Sequence, residues 1–213
     1  MTQAAEKVTL PLKAGIDLGS GEYKTALESA LKALSEAEGA QKVFWGTQVE
    51  HPEVLELSVD WRQASDFQTF INSAAYPGFR TTLGTIVGGP PKINILSRFQ
   101  GEAFSTAVSV PIAEVVTLTY PASISEDDAN ASFAKFKSFG DKADGALALV
   151  GGWSVEEVPP AEGDAKVFVG VIGWESLDAH MAFRTTEVFK EAVEALRAGS
   201  EGIEMHHVKF TQF

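Results

Sequence analysis

The stretch that decides the fold is Lys166 to Phe183, KVFVGVIGWESLDAHMAF. Val167 to Trp174 is dense in β-branched and aromatic residues, the composition of a buried strand. Glu175 to Asp178 then carries a helix start, with Ser176 as N-cap and acids in the first turn. Helical spacing continues to about Arg197. An earlier stretch, Val54 to Phe70, VLELSVDWRQASDFQTF, has the same grammar. In both, a strand ends in Trp and a Phe follows nine positions later: Trp61 and Phe70, Trp174 and Phe183. Such an echo is the mark of an internal repeat.

Working outward, each half yields the same series of elements. In the first, Lys7 to Lys13 alternates as a half-buried strand. Glu22 to Ala37 is a helix with the stripe Tyr23, Leu27, Leu31 and Leu34, closed by Gly39. Lys42 to Val49 and Val54 to Trp61 are strands around the turn Glu50-His51-Pro52-Glu53. A helix begins near Ala64, breaks at Tyr76-Pro77-Gly78 and resumes from Phe79 to Val87. Ile93 to Phe99 is the fourth strand. Gln100 to Ala113 joins the halves. In the second, Val115 to Tyr120 is a strand and Glu126 to Phe139 a helix with the stripe Phe133, Phe136 and Phe139. Gly145 to Ser154 is a strand, Val155 to Ala165 an acidic, Pro-rich turn, and Lys166 to Trp174 a strand. A long helix ends at Gly199, and Ile203 to Phe213 is the last strand. Counterparts are offset by roughly 105 to 113 residues along the whole chain.

Each half therefore reads β-α-β-β-α-β, the ferredoxin-like pattern. The expected fold class is α+β, with halves at 1–105 and 106–213. A four-stranded sheet with both helices on one face leaves its other face bare. The halves are accordingly expected to pack sheet to sheet, as an intramolecular dimeric α+β barrel, and further association through helices, as a homodimer, stays open.

The residues Trp174, the acid- and Ser-bearing helix start, AHMAFRTTEVFKEAVEAL and the closing IEMHHVKF resemble the dimeric α+β barrel superfamily. Within it the chain is most similar to antibiotic-biosynthesis-monooxygenase-like proteins of fungi, and the likeness covers nearly the whole chain as two tandem copies. The resemblance implies a fold that hosts cofactor-free monooxygenases of phenolic polycycles, polyketide cyclases, haem enzymes and proteins without known activity, so fold leaves function open. The haem-degrading branch has a haem-ligating His about ten residues after the Trp. Here Ile71 and Arg184 stand at that distance, so haem is not expected.

The 213 residues carry 17 Lys and Arg against 29 Asp and Glu, a net charge of -12, which argues against a nucleic-acid or anionic-membrane partner. There is no cysteine, hence no disulfide, thiolate metal site or cysteine nucleophile. The stretch MTQAAEKVTL lacks the pattern of a secretory signal, and no apolar run is long enough to span a bilayer; a cytoplasmic protein is expected. Glycine turns at Gly19-Ser20-Gly21 and Gly88-Gly89 match no phosphate loop, and no GxSxG elbow occurs. Of the four His, His206 and His207 are adjacent on a strand and point to opposite faces, so they do not chelate one ion. No metal and no cofactor are expected. Trp45, Trp61, Trp153 and Trp174 either line an aromatic cavity or fill the core at strand ends.

Aligning the halves isolates a polar set. Leu12 aligns with Tyr120, Phe67 with His180, and Ile95 and Leu96 with His206 and His207. Apolar positions in one half thus carry imidazoles or a phenol in the other. One reading is a satisfied hydrogen-bond cluster. The sharper reading is a pocket in the second half, with His180, His206 and Tyr120 as catalytic groups and Trp174, Phe183, His207, Trp153 and Trp61 around the substrate. A neutral His suits proton abstraction near pH 7, and a Tyr hydroxyl suits an enolate oxygen. The expected function is an enzyme on a small aromatic or polyketide-like metabolite, working as a cofactor-free monooxygenase or cyclase. The alternative is a non-catalytic ligand-binding or stress-related protein.

Overall fold

In a computed structural model of the chain, residues 3–140, 142–160 and 164–213 are described. They form an α+β fold of two compact units. The first comprises residues up to Ser97, with Val155–Pro159 and Thr211–Phe213; the second comprises Arg98–Ser154 and Pro160–Phe210.

The first unit runs β1 (Ala4–Pro11), α1 (Gly21–Ser35), β2 (Ala40–Thr47), β3 (Val54–Trp61), α2 (Ala64–Ile71), α3 (Tyr76–Leu83) and β4 (Lys92–Gly101), of which the part up to Ser97 belongs here. Its strands lie in the order β4-β1-β3-β2, all antiparallel. The second unit runs α4 (Phe104–Val108), β5 (Ile112–Tyr120), α5 (Glu126–Gly140), β6 (Ala146–Val158, to Ser154 in this unit), β7 (Lys166–Trp174), α6 (Leu177–Phe183), α7 (Glu187–Arg197) and β8 (Gly202–Val208). Its order, β8-β5-β7-β6, is the same arrangement. Both units are ferredoxin-like. A final short strand, β9 (Thr211–Gln212), pairs with β2 in the first unit.

The repeat extends to irregular features. Gly39 and Gly145 each have positive φ, 88° and 82°, just before the second strand of their unit. Each carbonyl accepts from the backbone at the helix entry, Arg62 N or Glu175 N, at 2.9 Å. The register of the second strand then shifts, between Ala40 and Lys42 and between Ala146 and Ala148, as a β-bulge does. The Phe nine positions after each Trp packs on it, with ring centroids 6.1 Å apart for Trp61–Phe70 and 5.7 Å for Trp174–Phe183.

Four elements differ from the sequence reading. The long helix after Trp174 is two helices. Thr185 and Thr186 hydroxyls donate to Ala182 and Phe183 carbonyls at 2.8 Å, and Thr186 Oγ1 accepts from Phe189 N at 3.1 Å, so threonine side chains end one helix and cap the next. Ser176 does cap α6, accepting from Ala179 N at 3.1 Å. In the first unit Tyr76-Pro77-Gly78 opens α3 rather than breaking a helix, because proline is tolerated in a first turn, where its missing N–H has no partner to lose. The stretch Gln100 to Ala113 contains a helix, α4, whose Phe104, Ala107 and Val108 are buried. The turn expected at Val155 to Ala165 begins later, since β6 continues to Val158; 161–163 lie outside the described residues. Among the described residues no helix is long and apolar enough to cross a membrane.

Candidate functional site

The second unit brings together four polar side chains from four elements. Glu114 points from β5 to the helix side of the sheet, with Val116, Leu118 and Tyr120 at the same parity. His207 on β8 is its direct cross-strand partner. Trp174 ends β7 and His180 rides on α6. Trp174 Nε1 donates to Glu114 Oε2 at 2.9 Å. His180 Nε2 lies 3.5 Å from the same oxygen. On its other side, His180 Nδ1 and His207 Nε2 are hydrogen-bonded at 2.7 Å, one ring carrying the hydrogen. The His180 ring stacks on the Trp174 indole, centroids 4.7 Å apart and planes inclined by 20°. All four residues are buried, His180 to 1 % exposure. Burial makes each of these polar contacts count, because an unpaired group here would forfeit its full hydration.

Part of the cluster lines a cavity of about 260 Å³, walled also by Phe136, Phe183, Phe189 and Leu196. Glu114, Trp174 and His180 reach its surface, and the exposed Arg184 and Arg197 stand in its lining. The arrangement places an imidazole beside a carboxylate, aromatic rings in the cavity wall and two exposed guanidinium groups in its lining. Glu114, His180 and His207 also place one ligand atom each within 4.8 Å of one another. Two imidazoles and a carboxylate are donors suited to a transition-metal ion, and these three residues would hold one.

Of the residues singled out from sequence, His180, His207, Trp174 and Phe183 meet here. The pairing of His206 with this cluster is corrected: it is opposite Val115, on the other face of β8, while His207 faces Glu114. Strand pairing in the first unit puts Ile95 opposite Glu6, so Ile95 corresponds to His207 and the alignment of the last strand was one residue out. Tyr120 shares the face of Glu114 but sits six residues along β5, about 20 Å away. It is buried against Trp153, with ring centroids 5.7 Å apart, and desolvation raises the pKa of its phenol. Trp153 is core, its Nε1 donating to Asn130 Oδ1 at 2.9 Å. Trp61 belongs to the first unit, where it donates to Glu6 Oε2 at 3.0 Å.

Glu114 and Glu6 were missed. The signal was a charged residue at an apolar parity in both first strands: Glu6 precedes Val8 and Leu10 as Glu114 precedes Val116 and Leu118.

No family model matches the chain, and no curated protein matches it. Solved structures do. An anthrone oxidase-like protein superposes with a TM-score of 0.68 at 13 % identity, covering 99 % of this chain and 93 % of its own. A provisionally named monooxygenase from Fusobacterium nucleatum gives 0.62 at 12 %, covering 99 % and 94 %. Another from Lactobacillus acidophilus gives 0.61 at 13 %, covering 100 % and 96 %. At these identities the likeness establishes the shared fold.

Proposed function

We propose that the second unit binds a small aromatic or polyketide-like molecule and abstracts a proton from it, with His180 as the base. The observation that carries this reading is the placement of His180. It is a buried imidazole at a cavity surface, stacked on Trp174, between His207 at 2.7 Å and Glu114 at 3.5 Å. Phe136, Phe183 and Phe189 in the cavity lining give a planar substrate rings to pack against. His180 takes the proton from a phenol or from a carbon flanked by carbonyl and aryl groups. Glu114 stabilises the imidazolium, and Arg184 and Arg197 favour the anionic substrate.

The names of the structural neighbours support an oxygenase outcome. In that case the carbanion transfers an electron to dioxygen and the resulting radicals combine to a hydroperoxide. Loss of water then leaves a ketone, so that CH2 and O2 become C=O and H2O. A cyclase outcome uses the same proton abstraction, with an internal carbonyl as the electrophile.

The test is oxygen uptake with anthrone, before and after treatment with a chelator. Turnover that survives chelation and disappears in His180→Phe supports the reading. Turnover lost to the chelator and restored by a divalent metal would assign Glu114, His180 and His207 to an ion instead. A second reading, binding without turnover, is favoured by the 1 % exposure of His180; it predicts tight binding of anthrone with no oxygen consumed.

A further inference from the structure

The first unit has a cavity of its own, and the reaction assigned to the second unit leaves it unused. It measures about 470 Å³, against about 260 Å³ in the second unit. Leu10, Leu57, Phe67, Phe70, Phe79 and Leu83 supply an apolar, ring-rich wall. Glu6 is set into that wall at 5 % exposure. Its Oε2 accepts from Trp61, and among the described residues no hydrogen bond reaches Oε1. The places that hold imidazoles in the second unit hold Phe67 and Ile95 here, so neither supplies a charge. The exposed Arg80 and the Tyr76 phenol are the other titratable groups in the lining.

We propose that this cavity is a second ligand site, which takes a neutral aromatic ketone or quinone whose carbonyl oxygen accepts a hydrogen bond from the Glu6 carboxyl. Rings in the wall suit a flat fused-ring ligand. A carbonyl suits Glu6 better than an ammonium group does. Pairing a cation here would desolvate two charges, which often costs as much as the attraction returns. A neutral carboxylic acid has no such cost, and its O–H gains the partner it otherwise lacks. Burial pushes the Glu6 carboxyl up to about 7, so the protonated form is present at neutral pH. The ligand selects that form. Affinity is therefore steady in acid and falls above neutrality, by about tenfold between pH 6 and pH 8.

The test is calorimetric titration of the full chain with 2-acetonaphthone at both pH values. The proposal expects about tenfold weaker binding at pH 8. It expects Glu6→Gln, whose amide still donates, to bind equally at both, and Glu6→Leu to bind at least tenfold more weakly at pH 6. Leu83→Trp fills part of the same cavity without touching the Glu6 side chain's chemistry and should abolish binding; it decides the matter if the Glu6 variants do not fold. Affinity that rises with pH, tighter binding of 1-naphthylmethylamine than of the ketone, or no binding to the unmodified chain would overturn it. Binding that survives Leu83→Trp but is lost in His180→Phe would place the ligand in the second unit and also refute the proposal. Because His180→Phe should leave this binding intact, the two sites stand or fall separately.

Discussion

Glu6 and Glu114 occupy the same position in two copies of one fold. Each takes a hydrogen bond from the Trp that ends the third strand, at 3.0 Å in the first unit and 2.9 Å in the second. Around Glu114 the chain places His180 and His207; around Glu6 it places Phe67 and Ile95. One carboxyl is thus embedded in a polar relay and the other in hydrocarbon. The carboxyl–indole pair is common to both units, and the imidazoles are found only around Glu114. The pair also shows that burial alone does not fix a carboxyl's character. Its neighbours differ, imidazoles for Glu114 and hydrocarbon for Glu6.

The largest test erases the difference. His180→Phe with His207→Ile gives the second unit the first unit's residues. Oxygen uptake should fall by a factor of about 10² to 10⁴, with thermal stability at or above that of the unmodified chain. Stability lost by several kcal/mol with turnover intact would mean that the imidazoles are structural.

A second test removes the charge from the first unit. The folded-state pKa of Glu6 lies above its ordinary value of 4.5, at about 7. The folded chain therefore holds this proton where the unfolded chain has released it. Stability falls as pH rises from about 4.5 to about 7 and then levels, a loss of about 3 kcal/mol at 1.36 kcal/mol per unit. Glu6→Gln should recover most of it at pH 8 and show no gain at pH 4, as read by chemical denaturation. A variant that behaves the same at both pH values would show that the carboxyl is not strained by burial.

The shared corner gives a smaller, matched effect. Alanine at Gly39 or Gly145 meets both a positive φ and a close neighbour, 2.3 Å to Asp66 Oδ2 or 2.6 Å to Ala179 Cβ. Each should cost about 2 kcal/mol. A cost in one unit only would show that the corners are not equivalent. The smallest effect belongs to a device described only in the second unit: Thr186→Ala removes the cap of α7 and should cost about 1 kcal/mol in a denaturant melt.

The order of elements was legible because strand and helix periodicities recur with nearly constant offset, and Trp–Phe spacing anchored the third strand of each half. Parity also put Val116, Leu118 and Tyr120 on one face. Parity says nothing about distance along a strand, however, which is why Tyr120 was grouped with His180 although it sits near the far end of β5. The choice between His206 and His207 turned on a register of one residue, which only the pairing with Glu114 decides. Glu6 and Glu114 were passed over because carboxyls at strand ends ordinarily face water. Their indole partners come from a strand 55 or 60 residues later, a distance no local pattern spans.

The stack of His180 on Trp174 has an optical consequence. A protonated imidazole in contact with an indole accepts an electron from its excited state and quenches its emission, while a neutral one does so far less. Trp61, in the same place in the first unit, has Phe70 at 6.1 Å and no imidazole in its place of contact. Of the four tryptophans, Trp174 thus lies against an imidazole, and Trp61 is its matched counterpart without one. A change in charge on His180 should therefore show in the Trp174 share of the emission, without a label.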